Sequence, residues 1–498
     1  MTDLDYLAAG PLEKAWIRLR RWGRNLPGRT VKAILSLPQA AGGLLLRLGR
    51  TLSELGILFV RGDGWTKLSF FVMGAGCLRR GRWGRGALYL LLQASFWVYF
   101  FTFGLPSVGK LSTLGTVDAG EIYNEDKGIF EYTPGDNSML ILLYGVVSLL
   151  IVLLYLLLWA SSVRVCWETE QTVRCGGRIP RFRDEITDLS EGGFHKVLLF
   201  LPSLAVLIFT VLPLLFMILI AFTNYDRFHM PPGNRFTWVG LENFRSILGL
   251  SGNALLGSTF RSILGWTLVW AFFATVTNYL LGMVLALLIS RRGIRCKKLF
   301  RTVFVTTIAI PQFVSLMFMR NLLADNGLVN VFLTQMGWID TPIRFLTDGT
   351  IAKYTVLAVN MWVGIPYSML ITTGILLNIP RDLYEASRID GASPLMQFRK
   401  ITLPYVLFVT SPYLITQFVG NINNFNVIWL LSGGGPMTAE MYQAGRTDLL
   451  ITWLYRITTG EQNYKLASVI GIITFAVCAV FSLAVYSRTS SSGEGDFS

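Results

Sequence analysis

Charge is scarce in this chain of 498 residues, and it is missing from the longest apolar stretches. Asp, Glu, Lys and Arg make up 15% of the sequence against 52% hydrophobic residues, with a mean hydropathy of +0.51. That balance excludes an ordinary soluble globular protein. The runs 86–106, 137–163, 197–225, 262–290, 302–319, 354–380, 401–439 and 466–487 contain no Asp, Glu, Lys, Arg or His. Proton- and voltage-driven machines keep ionisable groups at membrane depth, so this absence argues against a proton-coupled carrier. A sodium site made of carbonyls and hydroxyls would escape such a scan, and an ion-coupled carrier therefore remains an alternative. An uncharged path suits a neutral, hydroxyl-rich solute. Cysteine is also sparse, with five residues at no metal-ligand spacing. Cys77, Cys166, Cys175 and Cys296 fall on or near one side of the membrane and Cys478 within a span, so no disulfide is expected. The two histidines, His195 and His229, are isolated, which supports neither a metal site nor a membrane-embedded enzyme. The first 60 residues lack the basic–apolar–small progression of a cleavable signal, leaving targeting to the first span.

What is present reads as an all-α integral membrane protein. Each uncharged run reaches the roughly 18–20 residues needed to cross about 30 Å of hydrocarbon, giving about eight transmembrane helices. The run 401–439 is too long for one span, and its Asn-rich and Gly-Gly-Gly-Pro half is expected to be a loop. Residues 68–78 are too short to cross and read as interfacial or re-entrant. Basic residues set the orientation. Segment 290–301 has six and no acid, segment 161–196 has six, and 11–85 has fifteen, whereas 107–138 has only Lys110 and Lys127 against six acids. Both termini and the 381–404 segment are therefore expected in the cytoplasm. The organisation expected is a basic cytoplasmic or interfacial region at 1–85 and two spans with an acidic outer loop at 86–163. A cytoplasmic linker at 164–196, a transmembrane core at 197–487 and a tail at 488–498 follow. The formal charge of +14 is accounted for by this bias and by a basic arm around Trp16, Arg18, Arg20, Arg21, Trp22 and Arg24 lying on lipid headgroups. No nucleic-acid module accompanies it. Gly104 to Lys110 fits the start of a phosphate-binding loop, but Leu111 stands where Ser or Thr must hold Mg²⁺. ATP chemistry has to come from a partner.

Between the late apolar runs lies a polar island. Pro380 sits where a helix can begin, with Asp382 and Glu385 near its positive end. Gly391 can supply a left-handed ending, and Ser393-Pro394 should open a second short helix through Phe398. Spacing alone gives a helical hairpin between two spans. The residues carry more: Glu385-Ala386-Ser387, then Asp390-Gly391-Ala392, Phe398, Ile401, Leu403 and Pro404, resemble the EAA loop of ABC-importer permeases. The resemblance implies the ABC-importer permease fold and makes Glu385, Ala386, Ser387, Asp390, Gly391 and Ala392 the surface that couples to an ATPase. Ser387, where the motif's name implies Ala, is a small departure.

Polar residues within the membrane are concentrated around this island: Asn360, Gly364 and Tyr367 before it, Gln417, Gly420, Asn421, Asn423, Asn424 and Asn426 after it. Asn amides can bond adjacent sugar hydroxyls and a Tyr ring can face a pyranose. The same residues could equally serve as glue between helices. Asn421 to Phe425, followed by Leu430-Leu431-Ser432-Gly433-Gly434-Gly435-Pro436, resemble the signature of permeases of maltose/maltodextrin-type importers. That resemblance implies a central sugar pocket at Asn360, Gly364, Tyr367, Gln417, Asn421 and Asn424. Its implied partners are a second permease subunit, an ATPase dimer using ATP and Mg, an extracytoplasmic sugar-binding protein, an oligosaccharide and membrane lipids. No cofactor bound by this chain is implied. Gly420, where the family carries an aromatic residue, and Gln417, where it carries Ser, put the exact sugar in question, and another neutral solute is the alternative. Segment 226–261 is too short for the folded outer domain that some members insert there.

Overall fold

The structure, a computed structural model, describes residues 49–124, 128–180, 183–184, 187, 190–290 and 294–489. The basic arm and the last residues of the tail lie outside these. The described chain divides into two compact units, one within Leu35–Leu241 and one within Glu242–Ser498.

The first unit holds three helices long and apolar enough to cross a membrane: α1 (Trp83–Leu111), α2 (Ser138–Arg174) and α3 (Phe194–Ile220). Between α1 and α2 a hairpin pairs β1 (Gly120–Asn124) with β2 (Ile129–Thr133), Gly120 opposite Thr133. Asp136 ties its base: Thr116 and Val117 donate backbone N–H groups to its carboxylate and Lys110 lies 3.0 Å away. Those amides, with Lys110, hold its pKa down at about 2. Helix α2 extends well past the apolar run because its last turns are a docking post. Short helices Gly64–Leu68 and Ala75–Arg79 close on it around Glu170, which is 2% exposed. Glu170 accepts from Thr66 at 2.6 Å and pairs with Arg80 and Arg174. Residues 68–78 thus contain no span-length helix, and Met73 and Cys77 within them are wholly buried. Cys77 and Cys166 meet there as free thiols in a sulfur–sulfur hydrogen bond of 3.1 Å.

The second unit contains α4 (Ala254–Ser290), α5 (Lys297–Ala309), α6 (Gln312–Leu322), α7 (Gly349–Leu377), α8 (Arg381–Ile389), α9 (Leu403–Ile422), α10 (Phe425–Leu431), α11 (Leu450–Thr459) and α12 (Tyr464–Thr489). Its core joins Trp270 and Ala274 of α4, Leu316 of α6, Val356 and Val359 of α7, and Val427, Ile428 and Leu431 of α10.

Three sequence expectations need correction. The run 302–319 is not one straight span: α5 and α6 are bent by 90° at a break. Ile310 is extended at the break because Pro311 follows it, and Pro311 has no N–H to continue the ladder. The Asn-rich stretch is not a loop. Asn424 accepts from the Val427 amide at 3.2 Å and caps a new helix, α10, which ends where Gly433 and Gly434 turn left-handed. The helix opened by Ser393 does not stop at Phe398 but continues into α9 through a π-turn at Phe398–Thr402. The described residues contain seven helices able to span, or eight if the bent pair counts as one.

The π-turns have a common cause. Those at Phe100–Gly104, Leu207–Val211 and Phe398–Thr402 are each followed by Leu-Pro: Leu105-Pro106, Leu212-Pro213 and Leu403-Pro404. A proline ring clashes with the carbonyl four residues back, and one extra residue in the preceding turn moves that carbonyl away without ending the helix.

Candidate transport site and coupling hairpin

The hairpin is built by its own polar residues. α8 ends with Ala392 N–H bonded to the Ser387 carbonyl at 2.9 Å and Gly391 at φ +75°, a conformation glycine adopts freely. Ser393 then accepts from the Met396 amide at 3.3 Å to start the next helix. Gln397, 8% exposed, locks the two arms by donating to the Ser387 hydroxyl at 2.8 Å and the Tyr384 carbonyl at 3.2 Å. The Ser387 departure therefore has a use, since Ala would leave that buried amide one partner short. Glu385, Ala386, Asp390 and Gly391 are exposed and Ser387 and Ala392 are half-buried. Leu383, Leu395 and Met396 are exposed beside them, and Ile389 is 87% exposed. The hairpin thus carries an exposed apolar face beside its polar residues.

Of the six residues that the resemblance places at the pocket, Tyr367 lines a cavity of about 160 Å³ with Thr307, Gln312, Ser315, Trp362 and Val363. No charged side chain lines it. Gln312 arrives there because the break at Pro311 ends α5 and starts α6 beside α7, and Asn426 of α10 donates to it at 3.4 Å. Reading composition alone missed Gln312, Ser315 and Trp362; the signal available was Pro311. Asn421 is 7% exposed, and its amide is fully engaged, donating to Thr275 at 2.9 Å and accepting from Asn424 at 3.3 Å. Its carbonyl accepts from the Trp270 indole at 3.1 Å. Asn424 spends its own oxygen on capping α10. These contacts tie the end of α9 to α4 and cap α10. Gln417 is exposed on α9. Asn360 is 4% exposed with its Nδ2 unpartnered, and Gly364 lies one turn beyond it against Asn278.

A larger cavity of about 1010 Å³ runs beside α4 and α7, lined by Trp266, Phe273, Thr277, Lys353, Tyr354 and Arg446 among others. Lys353 stacks over Trp266 at 4.7 Å and Arg446 pairs with Glu440 at 2.6 Å. Its cations set it apart from the uncharged Tyr367 cavity.

A broken span beside an uncharged, aromatic-lined cavity, with a capped polar hairpin between two spans, fits a multi-span membrane transport component. The chain belongs to the family described as binding-protein-dependent transport system inner membrane component, whose profile matches residues 278–490. The maltodextrin transport system permease protein MalC of Streptococcus pneumoniae is 33% identical over 428 residues, 84% of this chain and 94% of MalC. The galactooligosaccharides transport system permease protein GanP of Bacillus subtilis is 32% identical over 422 residues, 84% of this chain and 96% of GanP. Similarity to the maltose/maltodextrin permease MalF of Vibrio parahaemolyticus is confined to 250 residues, 49% of this chain and 47% of MalF, at 36% identity. The chain is thus a transport subunit of the ABC-importer permease kind.

Proposed function

We propose that this chain carries a neutral oligosaccharide, of maltodextrin or a related kind, inward as one permease of an ATP-driven importer. The observation that carries this reading is the lining of the Tyr367 cavity: two aromatic rings, Tyr367 and Trp362, with the amide or hydroxyl groups of Gln312, Ser315 and Thr307 and no charge. Such rings offer apolar faces to the C–H side of a sugar while amides and hydroxyls meet its hydroxyls. MalC and GanP, named for maltodextrin and galactooligosaccharides, support the substrate class. On this reading Asn360, Gly364, Tyr367 and Gln417 border the sugar path, while Asn421 and Asn424 hold its walls. The partners are a second permease, an ATPase pair that uses ATP and Mg, an extracytoplasmic binding protein and the surrounding lipid. The chain itself binds no cofactor. Glu385 to Ala392 dock on the ATPase, both termini face the cytoplasm, and 197–487 forms the transport core.

Tyr367→Ala raises the KM for maltotriose uptake about tenfold in assembled importer, while basal ATP hydrolysis and assembly stay near normal. Tenfold corresponds to about 1.4 kcal/mol, the scale of a lost ring contact. An unmoved KM for maltotriose and for galactotriose alike would sink the assignment. The orientation has its own check. A cysteine replacing Glu440 should react with an impermeant maleimide from outside, and cysteines replacing Lys297 or Arg388 should not. Outside labelling of the latter pair reverses the topology.

A further inference from the structure

One polar seam in the second unit is closed along part of its length and open along the rest. At Thr275, Asn421 and Asn424 every amide atom discussed above has a partner within 3.3 Å. One turn further along α4, Asn278 has a buried Oδ1 with no partner. On α7, Asn360 has a buried Nδ2 with no partner. These two atoms are an acceptor and a donor, yet they do not bond to each other. Gly364 lies one turn after Asn360 on the same face of α7. A Cβ on Gly364 would stand 2.1 Å from Asn278 Nδ2 and 2.6 Å from its Cγ, so the Asn278 amide lies directly against the bare backbone there. Glycine at 364 makes room for that amide.

An unmet buried acceptor and donor are each costly, and such atoms in an otherwise satisfied seam mark a place where something else completes the bonds. The missing group must both donate and accept, must be uncharged, and must fit beside a glycine. A hydroxyl does all of this; an ammonium or a carboxylate does only half. We propose that Asn278 is a substrate-contact residue whose Oδ1 accepts from a sugar hydroxyl while Asn360 Nδ2 donates to the same or a neighbouring one. This rests on the oligosaccharide reading above and adds α4 to the elements that recognise the sugar. Both atoms are buried between α4 and α7, so on this proposal the contact forms only where these helices part during the transport cycle.

The test uses the whole importer, with radiolabelled maltotriose as probe and rates normalised to assembled complex. Asn278→Leu keeps the branched shape of the side chain and removes both polar atoms. Its KM should rise about tenfold, with assembly and basal ATP hydrolysis preserved. Gly364→Ala alone should impair the complex by driving a methyl into Asn278. Adding Asn278→Ala relieves that clash, so the double variant should assemble normally yet keep the raised KM. A wild-type KM in Asn278→Leu, or in the double variant, makes Asn278 a packing group and overturns the proposal. So does failure of both to assemble. Tyr367→Ala serves as the reference arm: if it shifts KM and the Asn278 variants do not, only this inference fails. If none of them shifts KM, the oligosaccharide reading fails with it.

Discussion

A Gly391→Val chain is expected to reach the membrane at normal abundance and to lose sugar-stimulated ATP hydrolysis in the assembled importer. The argument begins with backbone geometry. Gly391 sits at φ +75° with open space around a built Cβ, so a larger side chain meets no steric obstacle there. The whole penalty comes from forcing a β-branched residue into the left-handed region, about 1–3 kcal/mol. Relief requires the chain to leave that conformation, which breaks the Ala392-to-Ser387 and Gly391-to-Arg388 bonds that end α8. The hairpin then points elsewhere, while α7, capped at its far end by Asp348, and the apolar length of α9 still insert. Glu385→Lys should act differently and reach the same result. It leaves the backbone alone and reverses the charge of an exposed side chain on the face proposed to dock. Membrane vesicles assayed for permease by immunoblot and for maltotriose-stimulated phosphate release check both. Unchanged stimulation in both variants would remove the coupling role from this hairpin.

The hairpin was readable in the sequence because its signals are local. Pro380, Gly391 and Ser393-Pro394 each dictate backbone shape within a few residues of themselves. The breaks were harder to see because a scan for uncharged runs counts composition and passes over Pro311 and Asn424, which decide shape without changing polarity. The extra π-turn residue before each Leu-Pro is invisible to the same scan. The site residues were only partly legible for a different reason. Whether Asn421 lines a path or joins helices depends on Thr275, 146 positions earlier, and periodicity within α9 contains nothing about that partner. Asn278 went unnoticed as one polar residue in a long apolar helix. Its place against Gly364 appears only when α4 and α7 are packed together. Glu170 lies within the stretch 164–196 that composition marks as a linker, and its burial depends on Thr66 and Arg80 about a hundred positions earlier.

Arg456→Ala should strongly destabilise the segment between α10 and α12, and the loss should depend on pH. Asp448 has a fully buried side chain and accepts from the Gly445 amide at 2.8 Å. Gly434, at φ +77°, passes so close that a Cβ would lie 1.9 Å from Asp448 Oδ1. Arg456 supplies the countercharge at 3.3 Å, donates to the Gly433 carbonyl and lies 5.1 Å over the Trp429 ring of α10. Burial pushes the Asp448 pKa above its ordinary value, and Arg456 works against that push. Removing one partner of a buried pair leaves an uncompensated charge, which typically costs about 3–5 kcal/mol. The sign with pH follows from the raised pKa. The folded state already holds the Asp448 proton more tightly than the unfolded chain, and without Arg456 it holds it more tightly still. The destabilisation is therefore largest above the raised folded pKa and shrinks as pH falls through it, where the carboxyl becomes neutral. Adding Asp448→Asn to Arg456→Ala removes the charge altogether and should recover most of the loss at pH 7. Thermal melting of the purified importer between pH 5 and 8, with limited proteolysis to watch the 433–463 segment, measures all three forms. If Arg456→Ala melts like the parent at every pH, or the Asn partner gives no recovery, the pair does not hold this segment together.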